Sequence, residues 1–211
     1  MAKKLVRHPY HNSLPKRFLD IALSFFGVIL LSPLFVIIAI LIKFTSPGPA
    51  FFKQRRVGKN GKDFSLIKFR TMELGAENEI KKLSNLNEAD GPVFKIYNDP
   101  RYTKFGKILA RTGLDELSQL INVVKGEMSL VGPRPLPIYE AEKLTKAQKV
   151  RELVKPGITS SWIVDGAHNL KFVKWMKLDR DYVRDADFGK DIQILIKTTE
   201  LILRQILKQM L

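Results

Sequence analysis

The sequence predicts an α+β protein that is mostly helical: a re-entrant membrane helix hairpin, then a small helical cytoplasmic domain carrying one β-hairpin. Three observations predict it. Residues Ile21 to Ile42 carry no charge, and sixteen of them are Leu, Ile, Val or Phe. Two β-rich runs flank an Asn60-Gly61 turn, and the apolar residues after Leu114 recur at helical spacing. These divide the chain into a membrane-associated unit, residues 1–47, and a cytoplasmic unit with interfacial amphipathic helices, residues 48–211.

The apolar run comes first. On an insertion scale its sixteen large apolar residues favour the bilayer by about 5 to 10 kcal/mol. Its 22 residues match the roughly 20 needed to span the hydrocarbon as a straight helix. Two features oppose a straight span. Ser32-Pro33 lies at the midpoint, where proline removes a backbone donor and clashes with the preceding turn. The flanks are basic on both sides, with Lys3, Lys4, Arg7, Lys16 and Arg17 before and Lys43, Lys53, Arg55, Arg56 and Lys59 after. Both ends therefore favour the cytoplasm, which a helix broken at Ser32 and Pro33 satisfies by leaving through the leaflet it entered. A signal peptide fits poorly, because the run is too long and no small-residue cleavage site follows.

Ser46-Pro47-Gly48-Pro49 ends the apolar helix. Phe51 to Val57 and Asp63 to Thr71 then read as a hairpin closed by Gly58-Lys59-Asn60-Gly61. Gly75 to Pro92 has no firm periodicity, which fits a long surface loop or a helix with loop ends. Helices are expected over Arg101 to Ala110, Leu114 to Lys125, Tyr139 to Val154, Leu170 to Arg184 and Ile192 to Leu211, separated by Thr112-Gly113, the Gly126 to Pro137 stretch and Lys155-Pro156-Gly157. The last aligns Leu195, Ile202, Ile206 and Met210, so it either lies on the membrane surface or packs on the core.

Composition narrows the chemistry. A net charge of +15 calls for an anionic partner, and the uncharged run makes anionic membrane lipids its first candidate. The absence of cysteine excludes disulfides and thiolate metal sites, and the three scattered histidines cannot form a zinc set. Nucleic acid is not an expected partner, since no aromatic-basic interleaving accompanies the charge.

Asp115-Glu116 is the sharpest chemical feature: two carboxylates following the basic, glycine-containing turn Arg111-Thr112-Gly113. A carboxylate there could act as nucleophile or hold a hard cation. It could equally serve structure, because Thr112 and Asp115 have the spacing of a capping box. In Pro133-Arg134-Pro135, two residues of fixed φ would hold one arginine stiffly toward a phosphate or simply expose it on a turn. Lys68 and Arg70, two apart on a strand, share a face as a cationic pair or as solvated charge. His168 has no evident partner in sequence and reads as structural or surface.

Taken in order, Ser32-Pro33, Lys68-Phe69-Arg70-Thr71-Met72, Leu114-Asp115-Glu116-Leu117, Val131-Gly132-Pro133-Arg134-Pro135 and Pro156-Gly157-Ile158-Thr159 resemble the bacterial sugar transferase family, the monotopic polyprenyl-phosphate phosphoglycosyl transferases. The resemblance runs from about Lys16 to the final helix. It implies an inner-membrane enzyme with its catalytic part on the cytoplasmic face, moving a phosphosugar from a nucleotide diphosphate sugar to polyprenyl (undecaprenyl) phosphate in glycan assembly. It further implies a nucleophile, Asp115, that carries the phosphosugar covalently; a partner, Glu116; Mg2+ held by Asp115 and Glu116; and substrate contacts from Lys68, Arg70, Arg111 and Arg134. Three positions depart from the family pattern: Ala110 and Ala167 stand where many members are basic, and Ile163 stands where many have glutamine. The alternative is a catalytically inactive membrane-anchored homologue that scaffolds glycan assembly.

Overall fold

The computed structural model describes residues 8–166 and 170–210; Lys3, Lys4, Arg7, Ala167 and His168 lie outside them. Helix α1 (Leu14–Leu30) starts at Ser13, whose hydroxyl accepts the Lys16 amide, and α2 (Ser32–Thr45) follows after Leu31 alone. The two axes are bent by 60° at this break. Pro33 supplies no amide to the ladder, and the Ser32 hydroxyl donates to the Ile29 carbonyl at 2.8 Å. Among the described residues no single helix is long and apolar enough to cross a membrane, whereas α1 and α2 together are a bent apolar pair. Leu14, Phe18, Phe26 and Leu30 on α1 and Val36, Ile37 and Phe44 on α2 are exposed, while Phe35, Ile38 and Ile42 on α2 enter the core.

Strands β1 (Phe51–Val57) and β2 (Asp63–Phe69) form the expected antiparallel hairpin. Its turn places Asn60 at φ 57°, a conformation asparagine tolerates. Phe52 opposite Lys68 and Arg56 opposite Phe64 share one face. The free edge of β2 is satisfied by side chains: Asn122 bonds both the Ile67 amide and the Ser65 carbonyl, and Ser118 donates to the Ile67 carbonyl.

The loop after β2 contains only two short 3-10 turns, Ala76–Glu79 and Ser84–Leu86. Asn87 shapes its second half, accepting from the Ala89 and Lys95 amides and donating to the Ala89 and Val93 carbonyls. Helix α3 (Lys104–Thr112) is capped by Thr103 and stops at Gly113, whose φ of 74° reverses the chain.

Two expected helices divide. Leu114 to Lys125 is a 3-10 segment, Leu114–Gln119, followed by α4 (Leu120–Lys125). Tyr139 to Val154 is α5 (Ile138–Ala141) and a 3-10 segment, Gln148–Leu153. There Thr145 and Gln148 bond each other's amides as a capping box, which starts a new turn instead of continuing the old one.

A second sheet was not foreseen: β3 (Ser129–Val131) pairs in parallel with β4 (Gly157–Thr159). Each has three residues, too few to show a period. A side chain on Gly157 would begin 2.1 Å from the Gly132 amide nitrogen, so only glycine permits this approach. The chain closes with α6 (Ser161–Val164), α7 (Phe172–Asp185) and α8 (Phe188–Met210).

One core joins α2, the hairpin, α3, α4, β3 and Tyr182; a smaller one surrounds Trp162, Phe172 and Trp175. The N-terminal hairpin is tied to the C-terminal helix by charge. Lys16 Nζ lies 2.5 Å from Asp191 Oδ2, and Asp191 also accepts from the Tyr10 and Tyr182 hydroxyls. Asp20 accepts from the Leu130 amide and the Ser129 hydroxyl. On α8, Ile194 is buried and Leu195 packs against the core, while Ile196, Leu203 and Leu207 form an exposed stripe. The side chain of Met210 lies outside the described residues.

Candidate active site

The site forms where the hairpin face, the 3-10 segment after α3 and the Pro133–Pro135 turn converge. Ser118 and Asn122 fasten this segment to β2, which carries Asp115 and Glu116 with it. Asp115 is buried. Thr112 does not cap it: the Thr112 hydroxyl turns back to the Ile108 and Leu109 carbonyls, and the residue preceding the new segment is Gly113, which has no side chain to offer. The capping-box alternative for Thr112 and Asp115 is therefore absent from the structure.

Glu116 is held by Arg134, with Oε1 and Nη1 2.9 Å apart. Among the described residues no side-chain hydrogen bond or ion pair of that kind holds Asp115. Burial pushes the Asp115 carboxyl up to about 7; Lys68 and Arg134 oppose the shift, and Glu116 adds to it. The Lys68 ammonium is in turn pushed down by burial and supported by Asp115 and Glu116. Lys68 also lies over the Phe52 ring, 5.7 Å from its centre.

Further cations complete the pocket. Arg56 donates to the Pro135 carbonyl at 2.8 Å, and burial, then the charge of Arg134, push it down to about 10. Lys95 is pushed down to about 8 by burial and by Arg134. Glu140 accepts the Phe94 amide, and burial raises its carboxyl. Arg134 is held up first by Glu116, and its own carbonyl accepts from Arg151, which pairs with Asp179 at 2.9 Å. Sequence reasoning missed Arg56, Lys95 and Glu140 as site residues. For Arg56 a signal existed, since hairpin register places it on the face that carries Lys68. Lys95 and Glu140 are brought in by a loop and a four-residue helix, which have no periodicity to read.

Two expected substrate contacts are engaged elsewhere. β2 ends at Phe69, and the Arg70 guanidinium donates to the Ser46 carbonyl at 3.0 Å, the Ser46 hydroxyl at 2.9 Å and the Pro47 carbonyl. It satisfies carbonyls left open where α2 ends, so Lys68 and Arg70 do not act as a pair. Arg111 donates to the Asn98 side chain at 2.8 Å and lies over Tyr97. That contact faces the 97–98 loop.

Among the described residues no three His, Cys, Asp or Glu side chains are grouped to hold a metal. A magnesium ion held by Asp115 and Glu116 would have to complete its shell with water and substrate phosphates. The arrangement thus combines a carboxylate of elevated proton affinity, a second carboxylate held by arginine, and several cations: the equipment for attack on a phosphoryl group.

Residues 11–205 match the family model for bacterial sugar transferases. The chain belongs to the bacterial sugar transferase family. Among the relatives of this chain, the galactosyl transferase CpsE of Streptococcus agalactiae is 40% identical over 197 residues, covering 93% of this chain and 44% of that protein. The exopolysaccharide production protein ExoY of Rhizobium meliloti is 35% identical and covers 89% and 84%. The undecaprenyl-phosphate galactose phosphotransferase of Salmonella typhimurium is 37% identical and covers 90% and 40%. The chain thus spans less than half of the first and third proteins and most of the second.

Proposed function

We propose that this chain transfers a phosphosugar from a nucleotide diphosphate sugar to polyprenyl (undecaprenyl) phosphate, giving a polyprenyl diphosphate sugar and a nucleoside monophosphate. The carrying observation is the buried Asp115 carboxylate beside Lys68, next to the Glu116–Arg134 pair. The names of the relatives in Salmonella typhimurium and Escherichia coli, an undecaprenyl-phosphate galactose phosphotransferase and a UDP-glucose:undecaprenyl-phosphate glucose-1-phosphate transferase, support the substrate classes.

In the first step an Asp115 oxygen attacks the β-phosphorus. The bond from that phosphorus to the bridging oxygen breaks, and the nucleoside monophosphate leaves with the electron pair. In the second, a phosphate oxygen of the polyprenyl phosphate attacks the same phosphorus and Asp115 leaves as carboxylate. Arg134 and Lys68 stabilise the charge that gathers on the phosphoryl oxygens, and Arg134 orients Glu116. Magnesium held by Asp115 and Glu116 would add neutralising charge at the diphosphate.

The membrane hairpin follows from the same reading. Arms of 17 and 14 residues are about 25 and 21 Å long. With the 60° bend shared equally, the apex would reach about 10 to 13 Å into a hydrocarbon core of about 30 Å. Such a wedge enters one leaflet only and leaves both basic flanks at the cytoplasmic surface of the inner membrane. A site at headgroup depth can meet both a soluble dianion and a lipid phosphate.

Release of nucleoside monophosphate from a panel of nucleotide diphosphate sugars, with undecaprenyl phosphate and magnesium, tests the proposal. Release that needs the lipid and vanishes in Asp115→Asn supports it. No release across a broad panel by folded protein in a membrane mimic rejects it in favour of a scaffold.

A further inference from the structure

A second cationic cavity lies at the foot of the membrane hairpin. It has a volume of about 290 Å3 and is lined by His11, Asn12, Lys16, Arg17, Lys59 and Lys155 among others, with Asp20 its only carboxylate. None of Lys68, Asp115, Glu116 or Arg134 lines it. Lys16 is already matched by Asp191 and Asp20. Arg17 Nη1 and Nη2 donate to the Val123 and Val124 carbonyls, and among the described residues no carboxylate pairs with it. Lys155 has no hydrogen-bond or ion-pair partner among the described residues. Its ammonium is pushed down by burial, then by Arg17, Lys59 and Lys16, with only Asp20 in opposition. His11 adds no charge, since burial lowers it to about 4.

Arg17 Nη2 and Lys155 Nζ stand 3.3 and 3.7 Å from the point where a side chain on Gly126 would begin, so they flank one gap. Two cations about a common space, with nothing anionic between them, suit a phosphate bridging the pair. Location selects the source. Arg17 sits in the first turn of α1, between the exposed Leu14 and Phe18, and the exposed Val124 lies on the helix that Arg17 caps. If α1 enters the leaflet as proposed above, the cavity opens at headgroup level. Its volume is at the lower limit for small-molecule sites, with room for a lipid headgroup.

We propose that Arg17 and Lys155, with Lys59 at the rim, bind the phosphate of an anionic phospholipid, separately from the Asp115 centre. The bound headgroup fixes the depth and tilt of α1, and through α4 the height of the active site above the membrane.

Native mass spectrometry of the full chain released from neutral detergent tests this with three probes: short-chain phosphatidylglycerol, phosphatidylcholine of the same chain length, and inorganic phosphate. The expected result is selective retention of phosphatidylglycerol, weakened about fivefold by Lys155→Gln and preserved by Lys155→Arg. An unchanged thermal midpoint for Lys155→Gln separates loss of the site from loss of the fold. Equal retention of both lipids, or equal phosphatidylglycerol binding by wild type and Lys155→Gln, overturns the proposal. Tighter binding of inorganic phosphate than of phosphatidylglycerol overturns the lipid assignment. Nucleoside monophosphate release by the same samples in phosphatidylcholine is expected to be unaffected by Lys155→Gln, so failure of the transferase reading appears separately.

Discussion

Arg134 Nη1 lies 2.9 Å from Glu116 Oε1, joining a proline-flanked turn to a 3-10 segment eighteen positions earlier in the chain. The two side chains are 35% and 23% exposed, so solvent screens the pair and its share of folding stability is below about 1 kcal/mol. Its value lies in orientation. Arg134→Lys keeps the charge and loses the planar fork. Nucleoside monophosphate release by that variant should fall on the order of tenfold to a hundredfold in kcat/KM with little change in thermal midpoint. Steady-state kinetics alongside a thermal melt checks both halves.

Asp115 should control the pH profile. With its carboxyl raised to about 7, log kcat/KM is expected to climb with unit slope below that pH and level off above it. A slope that persists unchanged to pH 5 before breaking would assign the break to an ordinary carboxylate instead.

The same shift fixes the sign of a stability effect. A carboxyl whose folded value exceeds its unfolded value keeps its proton longer when folded, so this group's contribution declines as pH rises from about 4 to about 7. Asp115→Asn removes that decline. The variant should melt on the order of 10 °C above wild type at pH 8 and at the same temperature as wild type near pH 4. Equal midpoints at both pH values would mean the carboxylate is better solvated than its burial implies.

Magnesium dependence offers another check. Chelation is expected to abolish nucleoside monophosphate release and added magnesium to restore it, while Glu116→Gln raises the magnesium concentration needed for half-maximal rate. Activity undiminished by excess chelator would exclude a role for Asp115 and Glu116 as magnesium ligands.

Pro33 should govern topology. Cysteines introduced as Ala2→Cys and Lys62→Cys are both expected to be shielded from an impermeant periplasmic thiol reagent. Pro33→Leu restores an amide to the ladder and favours a straight span, so one of the two sites should then become labelled. Labelling of one site in the otherwise unaltered protein would establish a true span instead.

Lys16 provides a purely structural prediction. Its ammonium is 5% exposed and its partner Asp191 fully buried, so Lys16→Met strands a carboxylate in the core. The cost is expected to be about 3–5 kcal/mol, visible as a large fall in the denaturation midpoint. A double variant with Asp191→Asn should recover part of it.

What the sequence determined by itself was local. The Ser32-Pro33 break, the hairpin turning at Asn60-Gly61 and the stop at Gly113 each follow from neighbouring residues, because proline and glycine act within one or two turns of chain. The ordered motifs likewise disclosed the family and the Asp115-Glu116 pair. Tertiary structure decided what depended on distant partners. Whether Thr112 capped Asp115 or bonded its own helix, and whether Arg70 met Lys68 or the carbonyls at Ser46 and Pro47, turned on contacts no local pattern encodes. The Lys16–Asp191 bond spans 175 positions, and β3 finds β4 across a connection containing α5. Such pairings are chosen by which buried charges and backbone groups would otherwise lack a partner, and that choice exists only once the chain has collapsed.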